Sequence, residues 1–274
     1  MIQALHVFVP AAWLVAALLY AHQYGRPVAR RVDHMRRAAA LAALLLHPAL
    51  LALQWRDSGI VPAHDAWSTV SCTALLVALL HFLTTRLIDN GGTGAIVLLV
   101  VAVMQLFASA FGAREPLEGA PRPSAFYFFH VLTSTTAMSA LILSGINGGL
   151  YLLSLRRMRQ SRFDSFVRGL PSLETLVALT RRSALAGFLL LSVGVNFGIG
   201  WAHYAKVKGF HYSDPFVLFI LVLWLHFGVV AFSRWIPGLS ARRASIAATA
   251  GLTLFLSVFL LTLVPEVTFH WSPR

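Results

Sequence analysis

The sequence predicts an all-α integral membrane protein: a bundle of eight transmembrane helices with both termini outside. Three observations carry this. Of the 274 residues 58% are hydrophobic and 12% charged, with mean hydropathy +0.73, whereas soluble domains carry about 25% charge. The apolar residues gather into eight runs, each long enough to cross about 30 Å of hydrocarbon. The basic residues occupy the connections and alternate between rich and poor, the pattern that orients membrane helices.

The runs fall at 3 to 22, 37 to 55, 66 to 86, 93 to 112, 124 to 154, 183 to 204, 215 to 235 and 245 to 265. The fifth is over-long for one crossing, so its basic end at Arg156, Arg157 and Arg159 is expected to protrude. No soluble domain is left over. The chain reads as one membrane domain, with a four-helix half over 1–122 and a second half over 123–274.

Numbered from the N-terminus, the odd connections hold sixteen basic residues: Arg26, Arg30, Arg31, Arg36, Arg37, Arg86, Arg156, Arg157, Arg159, Arg162, Arg168, Arg181, Arg182, Arg234, Arg242 and Arg243. The even connections and the C-terminus hold six, namely Arg56, Arg114, Arg122, Lys206, Lys208 and Arg274. By the positive-inside rule the first set faces the cytoplasm. The longest connection, Arg156 to Arg182, contains SLETLVALTRR with helical spacing. Ser172 is placed to cap it and Glu174 lies in its first turn, which predicts an amphipathic cytoplasmic helix.

Several classes are excluded or disfavoured. The formal charge of +12 and pI near 11.2 do not point to nucleic acid, because the charges sit beside apolar runs as orientation signals. The lone Cys72 permits no intrachain disulfide, no CxxC pair and no c-type haem attachment. The first basic residue is Arg26, so the first run lacks the charged leader of a cleaved signal and is expected to be retained. No phosphate loop, HExxH or paired intramembrane carboxylate is found.

The stretch from Gly198 to Asp214 has an odd composition for a connector: Trp201, Phe210, two tyrosines, His203, His211, Lys206 and Lys208, closing on Asp214 and Pro215. Aromatic rings with imidazoles and ammonium groups suit a flat, apolar, anionic ligand such as haem. They also suit a plain interfacial belt, where Trp, Tyr and snorkelling Lys collect.

Eleven histidines are many for so apolar a chain. His130 lies six residues past Ser124, about 9 Å from the outer end of the fifth run. His270 follows the eighth. The two are expected at similar heights, bracketing the aromatic stretch, where opposed imidazoles give six-coordinate haem iron; a wet interfacial role is the alternative for each. His47, followed by Pro48, and His226, after Trp224 and Leu225, are central in their runs. An ionisable group at that depth is a functional hypothesis, here a second bis-His site. Hydrogen-bonded interhelical histidines are the other reading.

Four pieces in order carry a resemblance: FFHVLTSTTAMSALILSGINGGLYLLSLRRMR around His130, LPSLETLVALTRRSALAGFLLLSVGVNFGIGWA running into Trp201, DPFVLFILVLWLHFG with Asp214 and Trp224, and FHW at His270. Over its last 120 residues or so the chain resembles the cytochrome c assembly superfamily. It looks closest to the HemX-like and YpjD-like branch, and more distant from CcsA and CcmC. The resemblance implies non-covalent haem b on the outer face, with His130 and His270 as axial ligands. Trp201, Phe210 and Tyr212 would cover the ring beside Asp214, and Lys206 and Lys208 would pair with its propionates. It implies a haem chaperone or haem lyase subunit in cytochrome c biogenesis, held in the lipid bilayer of a bacterial inner membrane with a partner membrane protein of a maturation complex. The alternatives are a HemX-like regulator of tetrapyrrole synthesis and a small-molecule or metal transporter.

Overall fold

The computed structural model describes residues 1–22, 30–59, 61–63, 65–88, 91–112, 124–204 and 215–262. The expected site positions Lys206, Lys208, Phe210, Tyr212, Asp214 and His270 lie outside the described residues. The helices are α1 (Ile2–His22), α2 (Arg30–Ser58), α3 (Ala66–Ile88), α4 (Gly94–Phe111), α5 (Ala125–Arg159), α6 (Ser165–Gly169), α7 (Leu173–Tyr204), α8 (Pro215–Ala231) and α9 (Ala241–Thr262), with a 3-10 turn at Gly91–Thr93. No strand occurs among the described residues. Among the described residues six helices are long and apolar enough to cross a membrane: α1, α2, α3 over Ala66–Thr85, α4, α5 and α7. The chain is a multi-pass membrane protein.

Three helix starts follow from local chemistry. Asp65 begins α3 by accepting from the backbone N–H of Trp67 and Ser68 at 2.8 and 3.0 Å, while its own N–H donates to Ser68 Oγ; this reciprocal cap satisfies donors that a first turn leaves unpaired. Ser124 does the same for α5 through Tyr127 N–H. Asp164 caps α6, accepting from Val167 N–H at 3.1 Å. The exposed Asp164 carboxylate also pairs with Arg157, and the capping N–H and this guanidinium hold its carboxyl below the usual range.

One element differs from expectation. The predicted separate amphipathic helix over SLETLVALTRR is the first part of α7, which runs unbroken from Leu173 to Tyr204. No glycine or proline interrupts the chain between Leu173 and Ala186, and Leu176, Leu179, Thr180 and Ser183 form one continuous buried edge. Nothing there ends a helix. Likewise 198–204, read as connector, forms the last turns of α7.

The described chain forms two compact units. One comprises Met1–Pro121 with Leu153–Leu173, the other Arg122–Leu152 with Glu174–Arg274. In the first, α1 packs against α2 and α4, and α3 against α4 and α2. Its centre holds Val9, Trp13, Ala43, His47, Leu50, Val97 and Leu98, all fully buried. In the second, the core draws Ala137 and Leu141 from α5, Ala184 and Leu191 from α7, Leu223, Phe227 and Val230 from α8, and Ala248 from α9. Small residues bring these helices close, as is usual where lipid supplies little hydrophobic drive between them. A Cβ on Gly187 would come within 2.5 Å of Leu141, and one on Gly148 within 2.9 Å of the Ser245 carbonyl.

Candidate functional site

His130 stands on α5 in the second unit and faces α7. Its Nδ1 lies 2.8 Å from the Gly194 carbonyl oxygen, an acceptor, so the Nδ1–H donates and the Nε2 lone pair is left available. The sequence permits this contact through one glycine. In an α-helix side chains lean towards the N-terminus, so the side chain at n+4 covers the carbonyl at n. Position 198 is glycine, and a Cβ there would sit 2.7 Å from His130 Nδ1. The notch uncovers the Gly194 carbonyl and seats the imidazole.

Trp201, one turn beyond that notch, is buried. Its ring lies nearly parallel to that of His130, 12° apart with centroids at 6.5 Å. Tyr127 packs on Trp201 at 5.3 Å. Beside them Phe197 stacks on Phe129 at 5.3 Å, and Phe126 meets Phe197 and Tyr204. The structure thus brings together His130 and Trp201, two of the expected site residues. It adds an aromatic shell from Phe126, Tyr127, Phe129, Phe197 and Tyr204 that sequence reasoning did not single out. The signal was present: FYFF opens α5, while Phe197, Trp201 and Tyr204 recur at helical spacing on α7.

His226 on α8 repeats the arrangement. Its Nε2–H donates to the Ala247 carbonyl on α9 at 2.8 Å. Four residues further on, Gly251 provides the notch, where a Cβ would come within 2.7 Å of His226 Nε2. Here the nitrogen left available is Nδ1. Trp224, on the same helix, donates from Nε1 to Ser192 Oγ at 2.7 Å and stacks on Phe188.

His47 belongs to the first unit and is fully buried. Trp13 Nε1–H donates to its Nδ1 at 3.0 Å, which fixes the tautomer, so Nε2–H donates to Ser71 Oγ at 3.1 Å. Ser71 donates to Gln105 Oε1 at 2.7 Å, and Gln105 Nε2–H to Ser109 Oγ at 3.1 Å. Both His47 nitrogens are committed. His81 on α3 is buried against Phe82, and among the described residues its Nε2 has no hydrogen-bond partner. Among the described residues no three His, Cys, Asp or Glu side chains converge to hold a bare metal ion.

Of the expected cofactor residues that are described, His130 has the hydrogen bonding of a ligating histidine. A ligating histidine ordinarily donates its second N–H to a carbonyl or carboxylate, which fixes ring and tautomer, and His130 does so.

The model of the Cytochrome C assembly protein family matches residues 60–268. That range starts before α3, well upstream of the last 120 residues on which the sequence resemblance rests. Among curated proteins, the chain is 27% identical over 255 residues to cytochrome c biogenesis protein CcsA of Parasynechococcus marenigrum (strain WH8102), covering 82% of this chain and 81% of the relative. It is 27% identical over 249 residues to the CcsA of Synechococcus sp. (strain CC9902), covering 80% and 79%. A shorter match, 35% over 82 residues, links it to the CcsA of Synechococcus sp. (strain CC9311), covering 30% and 26%. With well over half its length matched, the chain belongs to the cytochrome c assembly protein family.

Proposed function

We propose that this protein binds haem b non-covalently and handles it in cytochrome c biogenesis, with His130 as one axial ligand. The observation that carries the reading is the Nδ1–H of His130 held by the Gly194 carbonyl at 2.8 Å, with the Nε2 lone pair available. Membership of the family and the biogenesis name of its CcsA relatives favour this role over a tetrapyrrole regulator or a transporter.

Haem supplies an iron centre whose redox properties follow its axial ligands and their hydrogen bonds. The chain's part is to position and shield. The Gly194 carbonyl stops the His130 ring from rotating, and Trp201 with Tyr127 walls the imidazole from lipid. His270 is the proposed second ligand. Lys206 and Lys208 neutralise the propionates, and Phe210, Tyr212 and Asp214 complete the enclosure. His226, with its own carbonyl partner and glycine notch, supports a second imidazole site. The double engagement of His47 supports a structural role for that residue.

The charge asymmetry supports eight spans with both termini outside, in a bacterial inner membrane. On this count α8 and α9 supply the two spans beyond the six long helices. The single tryptophan between Gly198 and Asp214 supports a place beside the HemX-like and YpjD-like branch. Cys72 bonds through Sγ to the Pro62 carbonyl at 2.8 Å, and a single thiol cannot do dithiol chemistry. The protein therefore acts with a partner membrane protein, as chaperone or lyase subunit. Deleting the gene should abolish holocytochrome c; normal holocytochrome c with an altered level of the first tetrapyrrole enzyme would support the regulatory alternative instead.

A further inference from the structure

The first unit contains a cavity of about 850 Å³ among the start of α1, the end of α2, the start of α3 and the end of α4. That is the size of an organic ligand site, not of an ion or a single water. Its floor carries Ser71, Gln105 and Ser109, members of the chain of donors that begins at Trp13. Every bond in that chain points the same way: Trp13 to His47, His47 to Ser71, Ser71 to Gln105, Gln105 to Ser109. Hydrogen bonds aligned in series polarise one another. The terminal Ser109 hydroxyl accepts from Gln105, and among the described residues none accepts its proton, so a donor is presented to the cavity.

The carboxylates around the cavity are already engaged. Of the two carboxylates in its wall, Asp57 pairs with Arg56 and Asp65 caps α3. No Lys or Arg lines it among the described residues. Beside Asp57 and Asp65 the only titratable lining residue among those described is His6, whose Nε2 meets the Gln54 side-chain amide at 3.3 Å; an anion would meet two carboxylates, and a cation would find both engaged. On the α1 and α4 side the wall is Val7, Leu14, Val103 and Leu106, all exposed. In a multi-pass protein this apolar flank faces hydrocarbon chains.

We infer that this cavity is a binding site for an uncharged lipid, whose oxygen-bearing head accepts from Ser109 while its chain leaves between α1 and α4. The inference is independent of the haem reading, because it uses only the first unit. His47 then serves the cavity from beneath, by orienting the chain of donors that ends in its floor.

The test is photo-crosslinking of the full chain in phosphatidylcholine nanodiscs, with a diacylglycerol bearing a diazirine in one acyl chain. Phosphatidylglycerol with the same chain is the anionic comparison, and excess free glycerol tests whether a soluble polyol is the true ligand. Diacylglycerol should label α1 and α4 peptides about tenfold more than phosphatidylglycerol, the discrimination that about 1.4 kcal/mol of polar matching gives. Ala11→Trp, at an exposed lining position, should block labelling, and Ser109→Ala should cut the preference about fivefold, for one hydrogen bond lost. Glycerol should not compete. Equal labelling by both probes, labelling indifferent to Ala11→Trp, or displacement by glycerol would overturn the assignment.

Discussion

The Nδ1–H of His130 donates to the carbonyl of Gly194 across the α5–α7 contact, at 2.8 Å. Because Gly198 leaves that carbonyl uncovered, one backbone position sets the tautomer and angle of the proposed axial histidine. The relationship can be broken from the side of the helix that does not carry the histidine.

Gly198→Ala places a Cβ 2.7 Å from Nδ1, closer than real Cβ contacts allow, so the ring must move. Losing this second partner should lower haem affinity about tenfold to a hundredfold. The haem-to-protein ratio after purification measures it, with circular dichroism showing that the helices persist. Undiminished haem in a folded Gly198→Ala protein would mean that the notch does not position the ligand.

His47→Ala should act on stability and leave haem content unchanged. It strands the buried Trp13 N–H, removes the donor to Ser71 Oγ and opens a void, together worth about 3 kcal/mol. Denaturant unfolding in detergent reads the loss. Haem lost in proportion, in protein that is still folded, would instead make His47 a ligand.

The capped corner at α6 should depend on pH. Folding lowers the Asp164 pKa, chiefly through the Val167 N–H bond with help from Arg157. The contribution is therefore present above the unfolded value near 3.9 and lost as pH falls through the lower folded value. Hydrogen exchange at Val167 and Arg168 should accelerate between pH 5 and about 3 in the parent, relative to intrinsic rates. Asp164→Asn should flatten that dependence, since its cap does not titrate.

Helical class and six of the spans were legible because length and apolarity report directly on membrane crossing. The predicted runs 3 to 22, 66 to 86 and 93 to 112 lie close to α1, α3 and α4. Helix ends beyond the apolar run were less legible: α2 begins at Arg30 and α7 at Leu173, because helix continues wherever nothing breaks it, charged or not. His130 and Trp201 were each legible, the one from its depth and the other from the composition of its stretch. The glycine notches were not, since a glycine on a helix gains meaning only from what faces it. Nor was the Trp13–His47–Ser71–Gln105 chain, whose members come from four separate helices. In the sequence His47 and His226 looked alike, and only their partners separate them.

Haem ligation by His130 and His270 is read out in the oxidised and reduced absorption spectra of purified parent, His130→Ala and His270→Ala proteins. A Soret band is expected in the parent and is lost or strongly shifted in each variant, with the His47→Ala spectrum unchanged per folded protein. A Soret band of the same position and intensity in both His130→Ala and His270→Ala would contradict it.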